Sequence, residues 1–313
     1  MIFNIPLIIL LLTPVLVITS SSWVLIWIWI EINAISFIII IKNTENKIKY
    51  FLIQSLASTI LLSIFVIYRI KEIKISNIFL VYSIIILSLV AIIKIGIAPF
   101  HSWLIKICSL INWNNILIIL TWQKIIPLFI FLITINNYWL IPIILTSFFI
   151  GTISQMRIRN VKLILAFSSI RHIGWIISSN YYRKIINFFY LFIYSIISVI
   201  IINVIKKNNS FKLFDQKKNI KKLFIIILSL AGIPPLLGFL PKWLIIDFIS
   251  KRIKRVTLII LILILATINF FIYSRLTTSS LIEKRQIKIF STKSYSKENV
   301  LNLFLPILIL SKK

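Results

Sequence analysis

Long apolar runs recur along the whole chain and constrain its fold more than any other feature. A helix needs about 20 such residues to cross a bilayer. The mean hydropathy is +1.04, and 60% of the 313 residues are hydrophobic. That composition leaves too little polar surface for a soluble domain of this length. Because the runs are continuously apolar, they predict helices and not the alternating strands of a barrel. The sequence predicts an all-α polytopic membrane protein.

The runs follow one another so closely that we expect one transmembrane domain over residues 1–313. The first run, MIFNIPLIIL, has no basic segment before it and is interpreted as a span, not as a signal peptide. The links on one side carry fourteen Lys and Arg and the other links carry nine, which predicts that the N-terminus lies inside. A short tail over 300–311 is a candidate eleventh span. The ten predicted spans are 3–19, 23–41, 50–68, 78–100, 114–135, 138–156, 161–179, 185–205, 223–249 and 256–274.

Charge and composition exclude several classes of partner and cofactor. A net charge of +28 would indicate nucleic acid binding in a soluble protein. Here most basic residues lie in short links, where they contact phospholipid head groups, so neither nucleic acid nor a soluble substrate is predicted. The single Cys108 excludes a disulfide within the chain. His101 and His172 are too few for a haem pair and a second site, and no nucleotide-binding motif occurs, so no cofactor is predicted in this chain.

Two apolar runs share a short motif that predicts broken helices. Gly96-Ile97-Ala98-Pro99 and Gly232-Ile233-Pro234-Pro235 use two of only five glycines in the chain. They lie five spans apart, so the two segments have opposite orientations in the membrane. Proline removes a backbone donor, and a broken helix at this depth is tolerated only inside protein or beside a water-filled cavity. Such breaks in two inverted halves indicate a transport site. Two ordinary proline kinks are the alternative.

Four ionisable side chains inside the predicted spans are candidate site residues, because a charge there costs about 2.5–3.5 kcal/mol on insertion scales. The lysines near the two motifs stand beside expected breaks, and a third stands three residues before Pro127, which cannot bond to the carbonyl of Gln123. That lysine therefore shares a helical turn with an amide and a free carbonyl. The four residues are Glu31, Lys94, Lys124 and Lys242.

One buried acid and three buried lysines predict a path for protons. Burial and a neighbouring carboxylate act in opposite directions on the protonation of a lysine, so moving the contact moves the proton. Such a row titrates as a coupled set. The alternative is a Glu–Lys pair that only neutralises two buried charges. His172, beside Arg171, is a candidate relay because imidazole exchanges protons near neutral pH, and a hydrogen-bonded structural histidine is the alternative.

Six segments of the chain form a recognisable set, in this order: WIEINAISF (29–37), KYFLIQSLAS (49–58), KIGIAPFHSWL (94–104), TWQKIIP (121–127), AFSSIRHIGW (166–175) and GIPPLLGFLPKW (232–243). In the same order they resemble the insect-type chain 2 family of mitochondrial NADH–ubiquinone oxidoreductase, or respiratory complex I. The departures from the family pattern are Leu104-Ile105-Lys106, where Pro-Glu is common, and Arg171, where a small or amide residue is usual.

The resemblance implies an antiporter-like subunit with two inverted repeats, each holding a broken helix. It implies that Glu31 and Lys94 form a switch pair, that Lys124 is the central lysine and that Lys242 ends the proton path. NADH, FMN, iron–sulfur clusters and ubiquinone would then belong to partner subunits. The implied location is the mitochondrial inner membrane. The implied partners are other membrane-arm subunits and phospholipids, with cardiolipin as one candidate.

Two other functions fit the same residues. The chain could be a stand-alone cation/proton antiporter of the same fold, or a membrane-arm scaffold whose charges only hold neighbours together. Loss of assembly on neutralising the buried charges would favour the scaffold. Migration as a small free species in native electrophoresis would favour the antiporter.

Overall fold

The protein is a bundle of helices, described by a computed structural model for residues 4–70, 77–134, 137–158, 160–179, 184–208, 220–252 and 260–275. All the elements of regular structure in these ranges are helical. They are α1 (Asn4–Thr19), α2 (Trp23–Ile40), α3 (Thr44–Ile70), α4 (Asn77–Ile95), α5 (Ser102–Leu110), α6 (Trp113–Leu120), a 3-10 turn (Trp122–Lys124), α7 (Ile125–Thr134), α8 (Asn137–Met156), α9 (Val161–Ser179), α10 (Lys184–Asn208), α11 (Ile220–Ala231), α12 (Phe239–Arg252) and α13 (Ile260–Arg275).

Five of the helical segments are long and apolar enough to cross a bilayer, and shorter apolar helices accompany them. Together they confirm the prediction of an all-α polytopic protein. The division into ten or eleven spans within one domain stays a prediction, and the candidate span 300–311 lies outside the described residues. The five long segments are Trp23–Ile40, Thr44–Val66, Trp113–Thr134, Val161–Ser179 and Ile185–Lys206.

Helix α9 lies at the centre of the bundle. Eighteen of its 19 residues are buried, and it contacts α5, α6, α8, α10 and α12. A helix in such a position is usually apolar all round, but α9 also carries lysine, serine, arginine and histidine side chains. Its polar side chains, which include Arg171 and His172, are therefore enclosed by protein.

Both G-I-x-P motifs break a helix in the same way. Helix α4 ends at Ile95 and α11 ends at Ala231, and the next residue in each case is a glycine with positive φ, 74° at Gly96 and 84° at Gly232. Each glycine amide donates to carbonyls three and four residues back. A side chain strains this left-handed backbone, which glycine adopts freely. The breaks place Lys94 just before the first gap and Lys242 just after the second.

The structure differs from the predicted spans at two places. After the first break the chain returns to a helix, α5, although residues 101–113 are predicted as a link. The prediction missed α5 because Ser102, Lys106 and Ser109 lower its hydropathy. The predicted continuous span 114–135 is also interrupted, by the 3-10 turn that ends at Lys124. The interruption lies one turn before Pro127, whose missing amide leaves the carbonyl of Gln123 without an α-helical partner.

Candidate functional site

The first break holds a buried lysine that has no bonded partner. Lys94 is 4% exposed, and its Nζ makes no hydrogen bond with any described residue. Its backbone carbonyl accepts a hydrogen bond from Gln54 Nε2 at 3.4 Å. Almost all buried polar groups in proteins are hydrogen-bonded, so an unpartnered ammonium at this depth marks a site where water or a moving side chain is required.

Glu31 lies on α2, half-buried, within electrostatic reach of Lys94. No ion pair shorter than 4.0 Å joins the two groups among the described residues. The two residues of the predicted pair therefore lie within electrostatic reach of each other but do not form an ion pair. Tyr50 on α3 is the second group within electrostatic reach of Glu31.

Tyr50 connects this neighbourhood to the centre of the chain. Its hydroxyl donates to Gln123 Oε1 at 3.2 Å, and Gln123 precedes Lys124 in the 3-10 turn. Lys124 is 3% exposed, and its Nζ also makes no hydrogen bond with the described residues. Lys124 lies within electrostatic reach of Cys108 on α5 and of His172 on α9.

His172 is hydrogen-bonded through one ring nitrogen, and its role as a relay stays a prediction. Its Nδ1 forms a 2.7 Å hydrogen bond with the Tyr190 hydroxyl, which orients the ring. Its Nε2 is buried and has no partner among the described residues. Beside the ring lies a cavity of about 10 Å³, close to the room that one water needs, lined by Tyr194, Ser229, Gly238 and Pro241 as well. The cavity lies between His172 and residues that flank the second break, Ser229 before it and Gly238 and Pro241 after Gly232.

Lys242 makes a different set of contacts from the other two lysines. It is 8% exposed, and its Nζ donates to the carbonyls of Leu230 and Ala231, each at 2.7 Å. These carbonyls end α11 and have no helical partner, and a cation is favourable at that end of a helix. Lys242 thus reaches back across the break and stays buried. It lies within electrostatic reach of His172 and Arg171.

The five predicted site residues can be ordered as a series by the groups that act on one another. Glu31 lies within electrostatic reach of Lys94 and Tyr50, and Tyr50 bonds to Gln123 beside Lys124. His172 lies within electrostatic reach of both Lys124 and Lys242. We call the series Glu31, Lys94, Lys124, His172 and Lys242 the proton path. Whether protons follow it stays a prediction.

Two buried cations of this region were not predicted from the sequence. Lys162, counted in a link, is buried, donates from Nζ to the Ile111 carbonyl at 2.6 Å and lies 5.6 Å from the ring centre of Trp113. Arg171, noted only as a departure, is 1% exposed. The only feature of the sequence that could have predicted the burial of Lys162 is its position one residue inside the predicted span 161–179. For Arg171 the signal is its position at the centre of the span 161–179.

The tryptophan of the first break is also placed differently from the prediction. The sequence indicates an interfacial anchor, because Trp103 follows a predicted span end. The side chain is instead buried, and its Nε1 donates to the Ile93 carbonyl at 3.0 Å. Trp103 therefore adds a second hydrogen bond to a carbonyl at the end of α4 that already accepts from the Gly96 amide. As for metals, the described residues contain no cluster of three or more His, Cys, Asp or Glu side chains that could hold an ion.

Comparison with known proteins places the chain in a family. Residues 20–269 match the family described as NADH:quinone oxidoreductase/Mrp antiporter, TM, and this range includes both broken helices. NADH-ubiquinone oxidoreductase chain 2 of Locusta migratoria is 35% identical over 305 residues, which cover 93% of this chain and 88% of that protein. The protein of the same name from Anopheles gambiae is 36% identical over 299 residues, covering 88% of this chain and 85% of its own length.

A solved structure shares the fold. A chain of respiratory complex I from Thermus thermophilus with bound aureothin superimposes with a TM-score of 0.78 at 20% identity, over 89% of this chain and 70% of that chain. The likeness in fold agrees with the relationship that the sequences show. The chain therefore belongs to the NADH-ubiquinone oxidoreductase chain 2 family of antiporter-like membrane subunits.

Proposed function

We propose that this chain moves protons as a membrane-arm subunit of a proton-pumping NADH:ubiquinone oxidoreductase. Its relatives carry the name of that enzyme, and the chain is a multi-pass membrane subunit of it. The location is the inner mitochondrial membrane. NADH, FMN, iron–sulfur clusters and ubiquinone are bound by partner subunits, which leaves proton transfer as the task of this chain.

One observation carries the proposal. The side-chain amino groups of Lys94 and Lys124 are buried without a hydrogen-bond partner among the described residues. The same holds for Nε2 of His172, whose other ring nitrogen is bonded. In a subunit that served only as a scaffold, we would expect such lysines to be paired or to be replaced by neutral residues, because an unpaired buried charge is strongly destabilising. A path needs them, because each must accept a proton and then release it.

The Glu31–Lys94 geometry suggests how the path is gated. The carboxylate is near enough to act on the ammonium and is not bonded to it. A small movement of α2 or of the first break changes their separation and thereby the proton affinity of Lys94. The rest of the path then receives or loses a proton through Lys124.

Lys242→Gln tests the far end of the path. Glutamine keeps a donor for the carbonyls of Leu230 and Ala231 and cannot carry a proton. We expect the enzyme complex to assemble and proton transfer through this subunit to fall by about 10²-fold or more, the usual contribution of a positioned proton-transfer group. Proton release per NADH oxidised, measured in vesicles containing the purified complex, checks this. The control is Lys42→Gln, since Lys42 is exposed in a link. An unchanged ratio in assembled Lys242→Gln would exclude Lys242 from the path.

We also propose a specific phospholipid site on this chain. A groove of about 290 Å³ between α3 and α5 has Lys49 and Lys106 at its rim and Ser102 beside them. Its apolar walls suit acyl chains, and its two ammonium groups suit an anionic head group such as that of cardiolipin. Lys49 pairs at present with the exposed Glu45 at 3.3 Å, a contact worth at most about 1 kcal/mol. The walls are Leu52, Ile53, Trp103 and Ile107.

The double variant Lys49→Gln, Lys106→Gln tests this site. Each lysine near an anionic lipid contributes about 1 kcal/mol, so the affinity is expected to fall by about 30-fold. Native mass spectrometry of the solubilised complex would measure retained cardiolipin against phosphatidylcholine. Lys42→Gln is again the control. Equal cardiolipin retention in the double variant and the unmodified complex would refute the site.

A further inference from the structure

Arg171 is a permanently charged side chain at the centre of the bundle. It is 1% exposed in the middle of α9, and a guanidinium does not lose its proton in proteins. Its nitrogens donate to Gln155 Oε1 on α8 and to the Tyr273 hydroxyl on α13. The guanidinium carbon also lies 5.0 Å from the ring centre of Tyr273. Every one of these contacts is made with an uncharged group.

No carboxylate neutralises this charge within the part of the chain that the structure describes. The Lys49–Glu45 ion pair is exposed and distant in sequence from Arg171. A buried charge held only by neutral acceptors acts at long range, since little solvent screens it. Arg171 therefore imposes a positive potential on its surroundings.

The groups that experience this potential belong to the last part of the proton path. Arg171 precedes His172 on α9, and α9 contacts α10 and α12, the helix that carries Lys242. The cavity beside His172 is lined by Pro241, the residue before Lys242, and by Tyr190, which bonds to His172. His172, Lys242, Tyr190 and Tyr194 all lie within electrostatic reach of Arg171. The fixed charge thus stands beside the interval that a proton must cross between His172 and Lys242.

We propose that Arg171 is a positioning residue that forms an electrostatic barrier in this interval and prevents passive flow of protons along the path. Fixed positive charges exclude protons and cations from pores in the same manner. The inference rests on the proposed proton path. A proton crosses the barrier only when a second proton, arriving from the Lys124 side, drives it forward. Without that drive, repulsion keeps His172 and Lys242 from sharing an excess proton with the neighbouring membrane surface.

A purely mechanical role does not account for the charge. Arg171 joins α8, α9 and α13, but neutral donors such as glutamine or tyrosine could make the same bonds. A buried cation costs more than a neutral donor at this depth. The charge itself, and not only its bonds, therefore requires a function.

Two variants remove the positive potential of Arg171, one by weakening its hydrogen bonds and the other by strengthening one of them. Arg171→Gln deletes the charge and weakens the bonds to Gln155 and Tyr273. Gln155→Glu keeps Arg171, matches the shape of the original side chain and strengthens the bond by turning it into an ion pair. A barrier predicts that both variants behave alike, whereas a mechanical clamp predicts that they differ.

Passive proton leak is the readout. The purified complex is placed in phospholipid vesicles without NADH, a potassium diffusion potential is imposed, and internal pH is followed with a dye. We expect both variants to raise the leak by about tenfold, which corresponds to removing about 1.4 kcal/mol from the barrier. Arg171→Lys, which keeps the charge, and Tyr273→Phe, which removes only one acceptor, should leak no more than the unmodified complex.

The leak of the combined variants separates the barrier from a mechanical clamp and from a failure of the proton path. Adding Lys242→Gln to Arg171→Gln should abolish the extra leak, because the protons then lose their route. An unchanged leak in Gln155→Glu would overturn the barrier, as would an equal leak in Tyr273→Phe. If Lys242→Gln alone leaves pumping unaffected, the proton path itself fails. If it stops pumping while neither charge-removing variant leaks, only the barrier fails.

Discussion

Replacing Lys124 with methionine is expected to abolish the proton pumping that passes through this subunit, while the complex still assembles. Lys124 ends the 3-10 turn at the middle of the path, and its Nζ is buried without a partner among the described residues. Methionine has a similar volume and no charge, so the bundle loses an unpaired buried cation and little packing. The loss of the proton carrier between Gln123 and His172 should slow transfer by about 10²–10⁴-fold.

The measurement is the number of protons moved per NADH oxidised in vesicles, with assembly followed by native electrophoresis. Lys162→Met is the matched control, because Lys162 is also a buried lysine but bonds the Ile111 carbonyl. Losing that bond leaves a buried acceptor unsatisfied, at about 1–3 kcal/mol. We expect Lys162→Met to lower the yield of complex and to leave its proton ratio unchanged. A normal ratio in assembled Lys124→Met would contradict the path.

The long apolar helices and the breaks at Gly96 and Gly232 could be predicted from the sequence because both depend on local chemistry. Apolar runs predict helices in lipid, because each backbone group must be bonded within the segment. Glycine followed by proline predicts a break in such a helix, because proline has no amide hydrogen to donate. The repeated motif at Gly96 and Gly232 therefore identified both gaps. The lysines beside the gaps stood out for the same reason, since a charge inside an apolar run needs no tertiary information to be recognised.

The contacts of the charged groups could not be predicted, because they depend on which helices meet. Arg171 bonds to residues 16 and 102 positions away in sequence. Lys242 turns back to α11 only because the second break folds as it does. Helix α5 was missed because its polar side chains lower the average hydropathy of a short segment to that of a link.

The separation of Glu31 from Lys94 is the feature that most directly predicts a switch. Glu31→Gln keeps the shape of the side chain and removes its charge, so Lys94 loses the carboxylate that acts on it. We expect pumping through this subunit to stop and the complex to remain assembled. Glu31→Asp, which keeps the charge on a shorter side chain, should retain partial pumping. Glu45→Gln is the control, because Glu45 is an exposed carboxylate paired at the surface.

Adding Lys94→Met to Glu31→Gln then separates a switch from a structural pair. If the two charges only neutralise each other, the double variant removes both and should regain normal assembly and normal pumping. If they pass protons, the double variant should assemble as well as the unmodified complex and still fail to pump, because neither partner can carry a proton. Pumping restored by the second substitution would therefore disprove the switch. Without the charges of Glu31 and Lys94, this pair could no longer change the proton affinity of Lys124.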